Sequence, residues 1–360
     1  MTSEVKALVL GKGKSGTSAA ALLKAQGYEV DFADGYDCVV ASPGLRTKSE
    51  LQLGCEELKR RGWKLLAVTG SKGKSSVVKV VAEAIGGVPC GNYGRPVTDL
   101  ASEKPGWAVV EVSSFMMETT TLPPDTFEAA AILNLQEDHL DRHGSVVVYH
   151  GLKRKLLTMA KKGFGPDATG LWRSLWSGSY FDNEILGGNA AIAVELMRVA
   201  GLNDAKIAAA FKAFKPLPHR MNLVAEIAGV RYVDDSKATS LAALVAGVKM
   251  ASFGNRTTLL IAGGLPKGDD PRTVLSALTG RVKKVYLIGR SAEAFFAAWN
   301  GAVDCEICGT MERAVEAAKR EAGKGETVLL SPGTASFDQF QSYEERGDVF
   351  ARLVKKGQPK

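Results

Sequence analysis

The sequence predicts an α/β protein built from parallel, doubly wound sheets. Three observations carry this. Short apolar runs alternate with amphipathic helical stretches along nearly the whole chain. Several of those runs end in glycine- or acid-rich segments rather than hairpin turns, as at Gly11, Gly70, Glu111, Asp234 and Gly263. The 360 residues exceed one ordinary core, and the pattern restarts twice, which suggests three blocks.

The first block opens with a strand over 6–10, the loop Gly11-Lys12-Gly13-Lys14-Ser15-Gly16 and a helix through Ala25. Strands over 29–33 and 38–41 follow, the latter running into Ser42-Pro43-Gly44. The loop is a literal G-x-G-x-x-G with Asp34 downstream, the spacing of a dinucleotide fingerprint. The block is too short for two mononucleotide halves, so half a fold holding one nucleotide-like group, such as a uridine diphosphate, fits better.

The second block begins at a buried strand, 65–68, followed by Thr69-Gly70-Ser71-Lys72-Gly73-Lys74-Ser75-Ser76 and a helix over 77–85. A strand, a glycine loop with Gly-Lys-Ser at its tip and a helix together hold polyphosphate: loop N–H groups converge on the anion and the helix N-terminus adds partial positive charge. Gly70, Ser71, Gly73 and Ser76 shape the loop, Lys74 reaches the β/γ-phosphates, and Ser75 sits on Mg²⁺. Gly70 stands closer to Gly73 than in the common pattern, which marks a subtype. A plain glycine/lysine surface turn is the competing reading. Strands over 107–110 and 129–135 end at Glu111-Val112-Ser113-Ser114-Phe115 and at Gln136 through His143. Ligands gather at the carboxyl ends of parallel strands, which would group Lys74, Ser75, Glu111 and His139. A buried strand-end carboxylate is a natural Mg²⁺ ligand, whereas His139 alone could be structural. Helices over 147–161 and 189–200 follow, with an irregular 163–187 between them.

The third block has strands over 231–233, 257–262, 284–288 and 327–330, ending at Asp234-Asp235-Ser236-Lys237-Ala238-Thr239, Gly263-Gly264, Gly289-Arg290 and Ser331-Pro332-Gly333. It predicts a second doubly wound sheet.

Composition narrows the function. The net charge of +7 suits anionic small molecules, and no Lys/Arg run is interleaved with aromatics, which argues against nucleic-acid binding. Five cysteines without metal-type pairing predict a reduced, cytoplasmic protein, and Cys305-x-x-Cys308 reads as chance. No apolar signal run or membrane-length span is seen, so no membrane insertion is expected, and a monomer is.

The ordered set Thr69–Ser75, Glu111–Phe115, Asn134–Asp141, Leu217-Pro218-His219-Arg220, Asp235–Thr239 and Leu330–Phe340 resembles the Mur ligases, ATP-dependent amide-forming enzymes of peptidoglycan precursor synthesis. Glu118-Thr119-Thr120, Ser336-Phe337-Asp338-Gln339-Phe340 and Glu345-Arg346-Gly347 look most like the D-glutamate-adding members. The resemblance implies a three-domain architecture: a small Rossmann-like domain (1–64) for the UDP substrate, a P-loop ATPase-like domain (65–218) and a C-terminal Rossmann-like domain (219–360) for the amino acid. It implies ATP and Mg²⁺ as cofactors, with UDP-N-acetylmuramoyl-L-alanine and D-glutamate as substrates. By position, Lys74 binds phosphate, and Ser75 and Glu111 hold one Mg²⁺. His139 and Lys153, the latter carbamylated, serve a second, with Lys155 as the competitor. Asn189, Arg220 and Asp235 hold ATP, and Lys237 stabilises charge near the acyl phosphate. Ser113, Thr239, Lys267, Ser336, Phe337 and Tyr343 fall among the substrate contacts, with Thr239, Lys267, Ser336 and Tyr343 on the carboxylates of D-glutamate. Ser15, Asp34, Ser42, Gly44 and Asn92 hold the nucleotide sugar.

This sequence departs from the family pattern in places. It is short between Asp34 and Ser42 and after Lys161, and has Ile185-Leu186 where a His-Asn pair is usual. Met116 stands for a glutamine, Ser240 for an asparagine, and Lys72 adds a cation to the loop. The rival readings are a Mur-type ligase for another amino acid, a non-catalytic nucleotide-binding relative, and a dinucleotide oxidoreductase built on Gly11, Gly13, Gly16 and Asp34.

Overall fold

The computed structural model describes residues 6–34, 38–41, 48–136, 140–166, 172–183, 186–254 and 256–356. The predicted sites Ser42, Gly44 and His139 lie outside them. The chain divides into two compact units, residues 1–182 with 186–214, and 183–185 with 215–360.

The first unit holds two sheets. In the N-terminal one, β1 (Lys6–Leu10), helix α1 (Lys14–Ala25) and β2 (Glu29–Ala33) form a parallel βαβ unit at the predicted limits. β3 (Cys38–Ala41) then runs antiparallel to β1 and pairs with β4 (Lys48–Ser49), giving the order β2-β1-β3-β4. The block thus carries a single mononucleotide-type crossover. Ser49 caps α2 (Glu50–Arg60), its Oγ accepting from Gln52 N at 3.0 Å. This helix serves two cores: Leu53 packs with the Ala7, Val9 and Leu23 cluster, while Leu51, Cys55 and Leu58 enter the core of the next sheet.

That next sheet takes β5 (Lys64–Thr69), α3 (Lys74–Ile85), β6 (Val88–Gly91), β7 (Trp107–Glu111), α4 (Ser114–Thr119) and β8 (Ala129–Ile132). It is completed by α5 (Leu140–His143), α6 (Val146–Lys155), β9 (Gly163–Phe164), α7 (Gly187–Val199) and α8 (Asp204–Ala213). The strands are parallel in the order β6-β7-β5-β8-β9. The chain leaves β5 for β6 and β7 on one side and returns to β8 on the other. β5 therefore sits at the switch point, where an open α/β sheet leaves a crevice at its strand ends. Buried Leu65–Val68 fit a strand covered on both faces.

Three predicted boundaries move by three residues or more. α3 starts at Lys74 because Gly73 takes a left-handed conformation and caps it. β8 stops at Ile132, since Leu133 to Gln136 bend over the glycine loop, with Ser71 N donating to Asn134 O at 3.0 Å. α6 gives way at Lys155 to a 3-10 turn, Leu156–Met159, which turns Leu156 and Met159 into the core. The stretch read as irregular packs Trp176, Tyr180 and Phe181 against Phe211 and Phe214, with ring centroids 5.0 to 6.1 Å apart. Fully buried Phe181 and Phe211 contribute about 1.5–3 kcal/mol each.

The second unit contains β10 (Asn222–Ile227), β11 (Val230–Asp234), α9 (Leu241–Ala251), β12 (Thr258–Gly263), α10 (Leu275–Leu278) and β13 (Val282–Ile288). Then come α11 (Ala292–Trp299), β14 (Asp304–Gly309), α12 (Met311–Glu321), β15 (Thr327–Leu330) and α13 (Tyr343–Lys355). The order is β10-β11-β15-β12-β13-β14, with only β10 antiparallel. Ser240, at the family's usual asparagine, caps α9 by accepting from Ala243 N at 3.3 Å. Residues three apart on a strand face opposite sides. Accordingly Cys305 lies in the core on one face of the sheet and Cys308 in the core on the other. Both are free thiols, so the C-x-x-C is neither a disulfide nor a metal pair.

Candidate functional site

In the first unit the glycine loop is held from beneath by two asparagines. Lys72 N donates to Asn134 Oδ1, and Asn134 Nδ2 donates back to Lys72 O, both at 2.8 Å. Asn134 Nδ2 also donates to Asn189 Oδ1 at 3.0 Å. Gly73, at φ 82°, lies so close that a Cβ would meet Asn189 Nδ2 at 2.1 Å. The resemblance assigns Asn189 to ATP, and the structure places it buried under the loop at Lys72 and Gly73. Asn134 had no role in the sequence reading beyond its motif. Its spacing from the loop carries no signal until β5 and β8 pair.

Two lysines converge on the loop. Lys74 Nζ donates to Gly70 O at 2.8 Å and Ser71 O at 3.2 Å. Lys153, 1% exposed on α6, donates to the same Gly70 O at 2.9 Å and lies 4.6 Å from the Tyr149 ring centroid. Lys155 points elsewhere, to Met117 O at 3.4 Å. Tyr149 OH in turn lies 3.2 Å from Ser71 Oγ. Ser75 is partly buried at the first turn of α3 and Ser76 is buried behind it.

Glu111, at the end of β7, is 2% exposed. Its Oε1 accepts from Asn92 Nδ2 at 2.9 Å, while its buried Oε2 has no hydrogen-bond partner among the described residues. A desolvated carboxylate oxygen left without a donor is costly unless a cation completes it. An oxygen-seeking divalent ion fits such a carboxylate oxygen. Ser113 caps α4 by accepting from Met116 N at 3.3 Å. Beside it His143, missed by the sequence reading, bonds Ser114 Oγ at 3.0 Å and stacks between Phe115 and Tyr149 at 5.4 and 5.5 Å. That stack joins the Glu111–Phe115 segment to the helix carrying Lys153. Farther along this unit, Ser15 lies in α1, and the exposed Asp34 pairs with Lys12 at 3.5 Å where β1 and β2 end.

In the second unit the predicted residues gather where β11, β12 and β15 end. Asp235 Oδ1 accepts from Met221 N at 3.2 Å and Oδ2 from Ser331 Oγ at 2.9 Å. Burial pushes its carboxyl up to about 7. His219, in a left-handed conformation at φ 59°, pairs through Nδ1 with Asp234 Oδ2 at 2.7 Å, and its carbonyl accepts from Lys237 N at 3.0 Å. This close seat needs Gly347, where a Cβ would stand 2.1 Å from His219 Nδ1. Lys237 Nζ lies 3.7 Å from the Tyr343 ring centroid, and burial, then neighbouring Arg220, lower its pKa. Burial also raises the Tyr343 hydroxyl to about 12. Thr239 and Arg220 are partly buried, Ser336 is buried, and Lys267 and Phe337 are exposed.

Comparison with known proteins agrees in both units. Residues 68–165 match the Mur ligase middle domain, and residues 219–333 match the domain described as Mur ligase, glutamate ligase domain. The chain is 36% identical to the UDP-N-acetylmuramoylalanine--D-glutamate ligase of Rubrobacter xylanophilus, over 90% of this chain and 86% of that protein. It is 32% identical to the protein of the same name from Acidobacterium capsulatum, over 97% and 96%. Among solved structures, the MurF ligase of Thermotoga maritima in complex with ADP superposes with a TM-score of 0.64 at 16% identity, covering 98% of this chain and 95% of that one. MurC of the same organism gives 0.59 at 16% identity, over 99% and 100%. These two share the fold. The sequence identities, extended over nearly the whole chain, establish that it belongs to the Mur ligase family.

Proposed function

We propose that this chain is an ATP-dependent ligase that joins D-glutamate to UDP-N-acetylmuramoyl-L-alanine through an acyl phosphate. The observation that carries it is the phosphate loop with Lys74 and Lys153 on one carbonyl, in a chain whose relatives bear that activity in their names. In this reading residues 1–64 hold the nucleotide sugar, 65–218 the ATP phosphates and 219–360 the amino acid.

A carboxylate does not acylate an amine until one of its oxygens becomes a leaving group. Transfer of the γ-phosphoryl group forms a bond from that oxygen to phosphorus and breaks the bond to the β-phosphate oxygen, releasing ADP. Two anions must meet, and the cations at the loop offset their repulsion. Lys74 leaves its loop carbonyls for the phosphates, and the amides around Gly73 cradle them. Ser75 and Glu111 would hold a Mg²⁺ ion, which when bound would supply further positive charge there. Lys153, once its neutral amine has formed an N–C bond to carbon dioxide with release of one proton, would serve as a carbamate, an oxygen donor in place of a buried cation. The neutral amine of D-glutamate attacks the acyl carbon, and the tetrahedral intermediate breaks its C–O bond to phosphate as the amide forms, the released phosphate taking up the proton that the nitrogen loses. Lys237, held on the Tyr343 ring, stabilises the developing oxyanion. Thr239, Lys267, Ser336 and Tyr343 hold the amino acid's carboxylates.

The test is phosphate release from ATP with the nucleotide-sugar acceptor, bicarbonate and a panel of D- and L-amino acids. D-Glutamate should stimulate release most. A response to another amino acid alone reassigns the specificity, and nucleotide binding without turnover makes the chain a non-catalytic relative.

A further inference from the structure

Arg346 is 1% exposed, the largest fully buried charged side chain among the described residues, and it has no role in the reading above. Among the described residues its guanidinium makes four hydrogen bonds, none to a carboxylate. Nε donates to Ser236 Oγ and Nη2 to Ser236 O, both at 2.9 Å, while Nη2 also reaches Thr334 O and Nη1 reaches Ala335 O, each at 3.2 Å. Burial lowers its pKa to about 10, with Asp338 and Asp234 opposing the shift, so it stays cationic at neutral pH. A buried cation met only by neutral acceptors is a poor device for stability, because apolar packing of similar volume avoids the desolvation.

The acceptors show what else it does. Ser236 lies in the loop after β11, next to Lys237, and Thr334 and Ala335 lie in the loop after β15, next to Ser336. β11 and β15 are neighbouring parallel strands, and near their ends the two loops are joined by Ser331 Oγ donating to Asp235 Oδ2 at 2.9 Å and by Gly333 N donating to Ala238 O at 2.8 Å; Arg346 adds a bridge farther along, between Ser236 and the Thr334–Ala335 stretch that leads to Ser336. A planar guanidinium with donors at set angles fixes the distance and tilt between the groups it bridges, which a flexible ammonium does not. Asp338 extends the brace, its Oδ2 accepting from Arg290 N at 2.9 Å and so tying the β15 loop to the loop after β13.

We propose that Arg346 is a positioning residue that sets the spacing between the Lys237–Thr239 segment and Ser336, and thereby the capture of a dicarboxylic amino acid. This rests on the reading of those loops as the amino-acid site. The experiment has two arms, with Arg346→Lys, Arg346→Met and Ser236→Ala. Hydrogen exchange of the full chain should speed up in both loops, 235–240 and 331–340, with helix 74–85 unchanged. In turnover assays Arg346→Lys should raise KM for D-glutamate roughly tenfold, the equivalent of one charge-assisted hydrogen bond, with KM for ATP within about twofold. Arg346→Met should be worse than Arg346→Lys, and Ser236→Ala, which keeps the cation, should speed exchange in the same two loops even if the Met variant does not fold. Unchanged exchange in the loops, or KM values for all three substrates rising together, overturns the proposal. A wild-type protein indifferent to D-glutamate overturns the amino-acid reading instead, and the exchange arm then still decides whether Arg346 braces the loops.

Discussion

Lys153 Nζ stands 2.9 Å from the carbonyl oxygen of Gly70, fastening helix α6 to the phosphate loop. The same oxygen accepts from Lys74, so two ammonium groups share one carbonyl at the point where β5 delivers the loop. Replacing Lys153 by Ala should reduce turnover by about 100- to 1,000-fold, the range for losing one preorganised electrostatic group. High chloride or a short-chain carboxylate should restore part of it, since either can stand in for a carbamate oxygen. Lys155→Ala should remain within a few-fold of wild type, because Lys155 Nζ is directed to Met117 O. Full activity in Lys153→Ala would end the carbamate assignment at this position.

Lys74→Ala tests the loop itself. The side chain is partly buried at the loop, where it donates to the Gly70 and Ser71 carbonyls, and it is no member of the apolar core, so the fold should survive its removal. Circular dichroism should be unchanged while ATP turnover falls by at least 100-fold. Near-normal turnover would show that the loop does not carry the γ-phosphate.

Much of this architecture was legible because chemistry sits at strand ends. The strands ending at Leu10, Ala33 and Leu330 appear at the predicted limits, each a run of apolar residues cut off by a glycine, acid or serine. β14 was missed since Asp304 and Glu306 interrupt its apolar pattern, and β10 because an edge strand with Asn222 and Glu226 reads as a polar turn. The double duty of α2 was invisible too: one amphipathic helix looks the same whether it covers one core or two. Arg346 shows the deepest limit. In the sequence it stands only as the middle of Glu345-Arg346-Gly347, a motif of the resemblance with no role attached, and its acceptors in the loops after β11 and β15 lie far from it along the chain.

The two cysteines of β14 make a prediction from geometry alone. Burial holds each thiol up at about 11, and the sheet lies between them. Neither should react with a thiol reagent in the native protein, and mild oxidation should produce no intramolecular disulfide. Both should titrate at once on unfolding. A Cys305–Cys308 bond found by mass spectrometry of oxidised native protein would contradict the strand register.

Asp235 gives the second unit a pH dependence of definite sign. Its carboxyl titrates at about 7 in the folded state, raised from 3.8 mainly by burial and opposed by the bonds from Ser331 and Met221. The folded protein therefore holds this proton over a range in which the unfolded chain has already released it. Between about pH 4 and pH 7 the folded state binds more protons, so stability falls as pH rises, and above pH 7 the loss is complete. The shift corresponds to a penalty on the order of 4 kcal/mol. Asp235→Asn can keep both contacts, with its amide oxygen accepting from Met221 N and its NH₂ donating to Ser331 Oγ, and it cannot ionise. The variant should unfold at a higher temperature than wild type at pH 8, with the difference shrinking steadily towards pH 5. An unfolding midpoint for Asp235→Asn that stays below wild type at every pH would mean that the buried carboxylate is stabilised by charges stronger than its desolvation.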